Sequence, residues 1–68
     1  MNIDEVRGLN RDELMHELSE QQRGMMNLRF RKATLQLQDS TEIKNTRRTI
    51  ARIRTVLRER EIAEALQS

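Results

Sequence analysis

An all-α fold, a long antiparallel two-helix hairpin with a short N-terminal helix, is predicted by three features of this 68-residue chain. Leu, Arg, Glu, Gln and Met dominate, all good helix formers, while Pro, Trp and Tyr are absent and Phe occurs once. Three segments begin with an N-cap residue followed three positions later by Glu. Apolar residues then recur as narrow stripes at helical spacing, on two segments joined by a link too short for anything but an antiparallel turn.

The capping signals set the element starts. They are Asn2 with Glu5, Asn10 with Glu13, and Asp39 with Glu42. A side-chain oxygen at the cap accepts from a free N–H of the first turn. The Glu reaches back to the cap's own N–H and favours the positive end of the helix dipole. Leu9 before Asn10 and Leu14 after it add a hydrophobic staple. These signals predict a short helix at about residues 3–7, a long helix at about 11–34, a turn at about 35–39 and a second long helix from 40 to about 60 or beyond. All of them belong to a single domain over 1–68.

The stripes supply the pairing. On the second long helix Ile43, Ile50 and Leu57 repeat every seven residues, with Thr46 and Ile53 at the complementary positions. On the first, Leu14 and Leu28 share one row, interrupted by Gln21, and Leu18 and Met25 share the next. Each stripe suits one facing helix and not a thick core. A chain below about 70–80 residues obtains roughly 3–5 kcal/mol from a single core and usually needs a further support. With no Cys, and with His16 as the lone histidine, neither a disulfide nor a zinc site can supply it. The expected support is a partner, and no metal or cofactor is expected.

Charge points to the partner's chemistry. Between Gln21 and Arg58 stand Arg23, Arg29, Arg31, Lys32, Lys44, Arg47, Arg48, Arg52, Arg54 and Arg58, against only Asp39 and Glu42. Residues 1–20 are acidic on balance, as are 59–68, so the formal net charge of +2 hides a polarised molecule. Folding as a hairpin turns this into spatial polarity, with a basic turn end and an acidic end where the termini meet. At about 1.5 Å per residue the first long helix spans roughly 36 Å, enough to keep the two poles apart. At about 100° per residue Arg54, Arg47, Arg58, Lys44, Arg48 and Arg52 share an arc of roughly 160° on the second helix. Arg47, Arg54 and Arg58 are expected to flank the Ile50–Leu57 seam, the other three to point farther into solvent. The flank of Asn45, Thr49 and Val56 carries no charge. A solvated helix face normally mixes signs. This one does not, and guanidinium forks match phosphate oxygens, so a nucleic-acid backbone is the expected ligand.

Met26, Phe30 and Ala33 form a second apolar line on the first long helix, rotated about a third of a turn from the seam. Two covers are open at this point: the short helix through Ile3, Val6 and Leu9, or another macromolecule touching Met26 and Phe30. Phe30, between Arg29 and Arg31, also has a ring able to stack on a flipped base. Gly24 costs about 1 kcal/mol in mid-helix and is read as tolerated more readily than as a site of close approach. No nucleophile–base pairing, Gly-rich phosphate loop or enclosed pocket is legible, so neither an enzyme nor a small-molecule substrate is expected. No apolar run is long enough to cross a membrane, and the acidic beginning lacks a signal peptide's basic and apolar regions, which leads to the expectation of a cytoplasmic protein.

The stretch Ile43 to Glu59, with its core Arg47-Arg48-x-Ile50-Ala51-Arg52-Ile53-x-Thr55-Val56-Leu57-Arg58, resembles the signature helix of the large-subunit ribosomal protein twenty-nine family. Asn27 through Thr34 resembles that family's other recurring block, and Leu9 through Leu14 its opening, so the likeness covers about residues 3–60. The resemblance implies a helical hairpin docked on large-subunit rRNA, near the mouth of the peptide exit tunnel. It also implies ribosomal protein twenty-three as a neighbour and a region where nascent-chain factors gather. The family's RNA contacts carry over to Arg47, Arg48, Arg52 and Arg54, with Arg29 from the earlier block. Arg58, Lys44, Arg31 and Lys32 would add supporting charge. Three positions depart from the family pattern. Leu35 stands where Gly often ends the first long helix, Ser40 where Pro is common, and Lys32 where an apolar residue is frequent. Ile62 and Leu66 run past the family core and either extend the helix or fray.

The competing expectation is a hairpin that pairs with a second copy into a homodimeric four-helix bundle, a protein-interaction module. The missing apolar residue at Gln21 argues against it. Replacing Arg48 and Arg52 together is expected to weaken RNA binding while leaving helix content, measured by circular dichroism, nearly unchanged.

Overall fold

A computed structural model describes residues 1–34 and 40–67 as three helices, α1 (Ile3–Arg7), α2 (Arg11–Ala33) and α3 (Thr41–Gln67), with no strand among the described residues. The molecule is a rod of 50 × 17 × 15 Å. The fold is thus all-α, with α2 and α3 packed together and α1 laid against α3. The expected turn at 35–39, the departure at Leu35 and the Asp39–Glu42 cap lie outside the described residues.

Local hydrogen bonds account for the element ends. The Asn2 side chain accepts from the Glu5 N–H at 2.9 Å, and its amide donates to the Glu5 carboxylate at 3.3 Å, so the return contact goes to the side chain and not to the backbone. Asn10 builds the full reciprocal box: its side chain accepts from the Glu13 N–H at 2.8 Å and its own N–H donates to Glu13 Oε1 at 3.1 Å. At the far end of α2 the Thr34 hydroxyl donates to the carbonyls of Phe30 and Arg31, both at 3.1 Å. The Phe30 carbonyl also accepts from the Thr34 N–H at 3.0 Å, so there the hydroxyl adds to a backbone bond at the helix end. For α3, the Lys44 N–H donates to the Ser40 carbonyl at 3.1 Å, so Ser40 holds the place where the first helical bond is accepted. At its other end α3 extends through Gln67, leaving Ile62 and Leu66 on an ordered helix but exposed.

The seam is built from two clusters. Val6, Leu14, Ile53 and Val56 form one near the chain ends, flanked by Ile3, Leu9 and Leu57. Met25, Leu28, Ile43 and Ile50 form the other near the turn. Leu18 packs against both. Between them Gln21 is half-buried, and its amide donates to Glu17 Oε1 at 2.9 Å. The gap read in the α2 stripe is therefore a division of the core.

On α3 the buried face differs from the expected one. Thr49 and Val56, on the uncharged flank and outside the expected seam, are buried, while Leu57 is only half-buried. The cause is α1, which packs on α3 and draws the apolar face round toward Val56. Thr49 meets burial by donating its hydroxyl to the Asn45 carbonyl at 3.1 Å. Ala in place of Ile53, which has no exposed surface, is expected to lower unfolding stability by about 2–4 kcal/mol in a urea titration. A Cβ added at Gly24 meets nothing within 4 Å, so Gly24→Ala is expected to raise stability by roughly 0.5–1 kcal/mol in the same assay.

Candidate nucleic-acid interface

The basic arc on α3 follows from where the seam lies. Ile43, Ile50, Ile53 and Val56 are buried, and at about 100° per residue they occupy one side of the helix. Arg47 and Arg54 flank that side, Lys44 and Arg48 fall farther round, and all four are exposed. Among the described residues, carboxylates come within ion-pairing distance of only four cations: Arg7, Arg23, Arg31 and Arg58. Lys44, Arg47, Arg48, Arg52 and Arg54 therefore keep their charge uncompensated by any described carboxylate, as do Arg29 and Lys32 at the turn end of α2.

Two of the expected contact residues are engaged. Arg31 faces Glu42 at 4.0 Å and Arg58 faces Glu61 at 3.9 Å. Both pairs are well exposed, and pairs of this kind contribute about 0–1 kcal/mol, so a phosphate can displace the carboxylate at little cost. Arg52 differs from the rest. It is half-buried, and its Nη1 donates to the Met1 carbonyl at 2.8 Å.

The hairpin has two unlike sides. In an antiparallel pair, residues displaced in the same sense from the two seams lie on the same side of the groove. Arg31 and Glu42 are each displaced by roughly 100° or less in one sense, and their pairing fixes that side. Val56 is displaced in the same sense, so α1 covers this side toward the chain ends. The opposite sense brings Arg29 and Met26 of α2 to the same side as Arg47 and Arg54 of α3. The uncovered side thus carries cations from both helices.

Met26 and Phe30 are 71% and 68% exposed, respectively. The short helix packs near Leu14 and Val56 at the other end of the rod, so it is not their cover. Of the two covers left open by the sequence, the internal one is removed.

Arg60 was not singled out by its sequence position, yet it ties α1 down. It donates to the carbonyls of Arg7 at 3.1 Å and Leu9 at 2.6 Å. The available signal was its isolation, a single cation among Glu59, Glu61 and Glu64. Arg7 adds an exposed pair with Glu59 at 3.1 Å. The clefts at this end remain open. One, of about 200 Å³, is lined by Arg11, Met15, Leu57, Arg60, Glu61 and Glu64. No group of three or more His, Cys, Asp or Glu among the described residues is placed to hold a metal ion. Among the described residues no helix is long and apolar enough to cross a membrane.

Comparison with known proteins brings the sequence pattern and this geometry together. The family model described as Ribosomal L29 protein matches residues 4–60. The chain is 50% identical over 62 residues to the large ribosomal subunit protein uL29 of Thermosipho africanus, covering 91% of this chain and 94% of that one. It is 49% identical over 65 residues to the protein of the same name from Persephonella marina, covering 96% of each. A third relative with that name, from Nitratidesulfovibrio vulgaris, is 49% identical over 61 residues, covering 90% of this chain and all of its own. With a family model spanning most of its length and relatives at this identity, the chain belongs to the ribosomal L29 protein family.

Proposed function

We propose that this chain is a non-catalytic, structural constituent of the large ribosomal subunit that binds rRNA through phosphate contacts made by the outer face of α3. The observation that carries the reading is the uncompensated arc: Lys44, Arg47, Arg48 and Arg54 are exposed along and beyond one edge of the buried seam, with no described carboxylate in reach. Such an arrangement is costly in self-repulsion unless a polyanion receives it. Arg47, Arg48, Arg52 and Arg54 supply the principal contacts, with Arg29 beside them on the uncovered side. Arg31, Lys32, Lys44 and Arg58 add supporting charge. The contacts go to phosphates and so position the rod without decoding sequence.

The acidic end and the exposed Met26 and Phe30 give the rod its remaining contacts. Met26 and Phe30 form a protein-contact surface, and the family resemblance implies ribosomal protein twenty-three as a neighbour of the chain, near the mouth of the peptide exit tunnel. The resemblance also implies a region where nascent-chain factors gather. The ribosome of the cytoplasm is the matching location. The homodimeric bundle has less in its favour, because the stripes it would bury between copies are already consumed between α2 and α3 and under α1.

Binding to a large-subunit rRNA fragment is expected to weaken with salt. The slope of log affinity against log salt should be roughly −0.7 to −0.9 per phosphate neutralised, so about six contacts give about −4 to −5. A slope near zero contradicts the phosphate mechanism. Sedimentation of the free chain as a stable dimer lacking RNA affinity would favour the bundle.

A further inference from the structure

Arg52 is the one member of the α3 strip that is partly withdrawn from solvent, and what withdraws it is neutral. Its Nη1 donates to the backbone carbonyl of Met1 at 2.8 Å, 51 residues away in sequence. Arg48, one turn earlier on the same face, is exposed and has no such tie. A carboxylate in that place would cancel the charge. A carbonyl leaves it intact while fixing one edge of the planar fork, and the remaining N–H groups stay available to a second acceptor.

The carbonyl is delivered by a held element. Val6 is wholly buried against Leu14, Ile53 and Val56, and Arg60 fastens the far end of α1 through the carbonyls of Arg7 and Leu9. The Asn2 cap, which accepts from the Glu5 N–H, fixes the backbone next to Met1. Helix α1 therefore spans from the Arg60 clamp to Arg52, and its burial accounts for the first but not for the second. We infer that α1 serves as a positioning element for the RNA-binding face, with the Met1 backbone orienting Arg52 before ligand arrives. The inference rests on the phosphate-binding role given above. Binding then proceeds with less loss of side-chain freedom at this arginine than at its untied neighbours.

The test is a double-mutant cycle read by affinity for a large-subunit rRNA fragment, comparing the full chain with one that begins at Ile3. In the full chain, Arg52→Gln is expected to weaken binding about tenfold, in line with a charge-assisted hydrogen bond. In the shortened chain the same substitution should cost less than about threefold, while Arg48→Gln costs the same in both. Equal losses for Arg52→Gln in the two chains would overturn the inference. NMR of the intact free chain provides a measurement that does not depend on the shortened one folding. Rotation of the Arg52 guanidinium is expected to be slower than that of Arg48 or Arg54, and equal rates would also overturn it. An intact chain with a slow Arg52 but no RNA affinity would sink the phosphate reading itself, and the positioning role with it.

Discussion

The thinness of the seam between α2 and α3 governs the rest of this molecule. Each helix gives up only one narrow apolar stripe, so most of its circumference remains outside. In a larger domain that circumference would be covered by further elements. Here α1, five residues long, is the only additional cover among the described residues, and it reaches only the end near Leu14 and Val56. A 68-residue chain arranged in this way spends little of its sequence on a core and leaves long faces free for a partner.

Electrostatics then follows from which faces are free. The cations of α3 cannot turn inward because Ile43, Ile50, Ile53 and Val56 occupy the inner side. Among the described residues Lys44, Arg47, Arg48, Arg52 and Arg54 meet no carboxylate, whereas Arg58, nearer the chain ends, pairs with Glu61, and Arg7 pairs with Glu59. The exposed pairs that do form are weak in water. Family membership and geometry therefore point in one direction: a rod whose basic half is unsatisfied alone and whose terminal half is already tied together.

Much of this was legible in the sequence, and the exceptions share a cause. Capping residues act over three positions, so Asn2, Asn10 and their Glu partners announced helix starts correctly. The seven-residue spacing of Ile43 and Ile50 identified one side of α3, and their burial agrees. The expected seam left out Thr49 and Val56 because a helical projection tests one facing helix, whereas α3 packs against two. Of that uncharged flank Thr49 and Val56 are buried, Val56 in one cluster with Val6 of α1, while Asn45 is exposed. Likewise, Arg60 and the tie between Arg52 and Met1 depend on contacts 51 or more residues apart, which no local pattern encodes. The exposure of Met26 and Phe30 could be settled only once α1 had a location.

The half-buried Gln21 and its bond to Glu17 have a dynamic consequence. Among the described residues Leu18 is the apolar side chain packed against both clusters, so the core is narrowest at that level. The half bearing Met25, Leu28 and Ile43 can open as a sub-global unit while the half beneath α1 stays closed. Amide exchange would then divide at the level of Gln21. The end near Met25 and Ile43 would then be free to change shape, and the end held by Arg60 would keep the register.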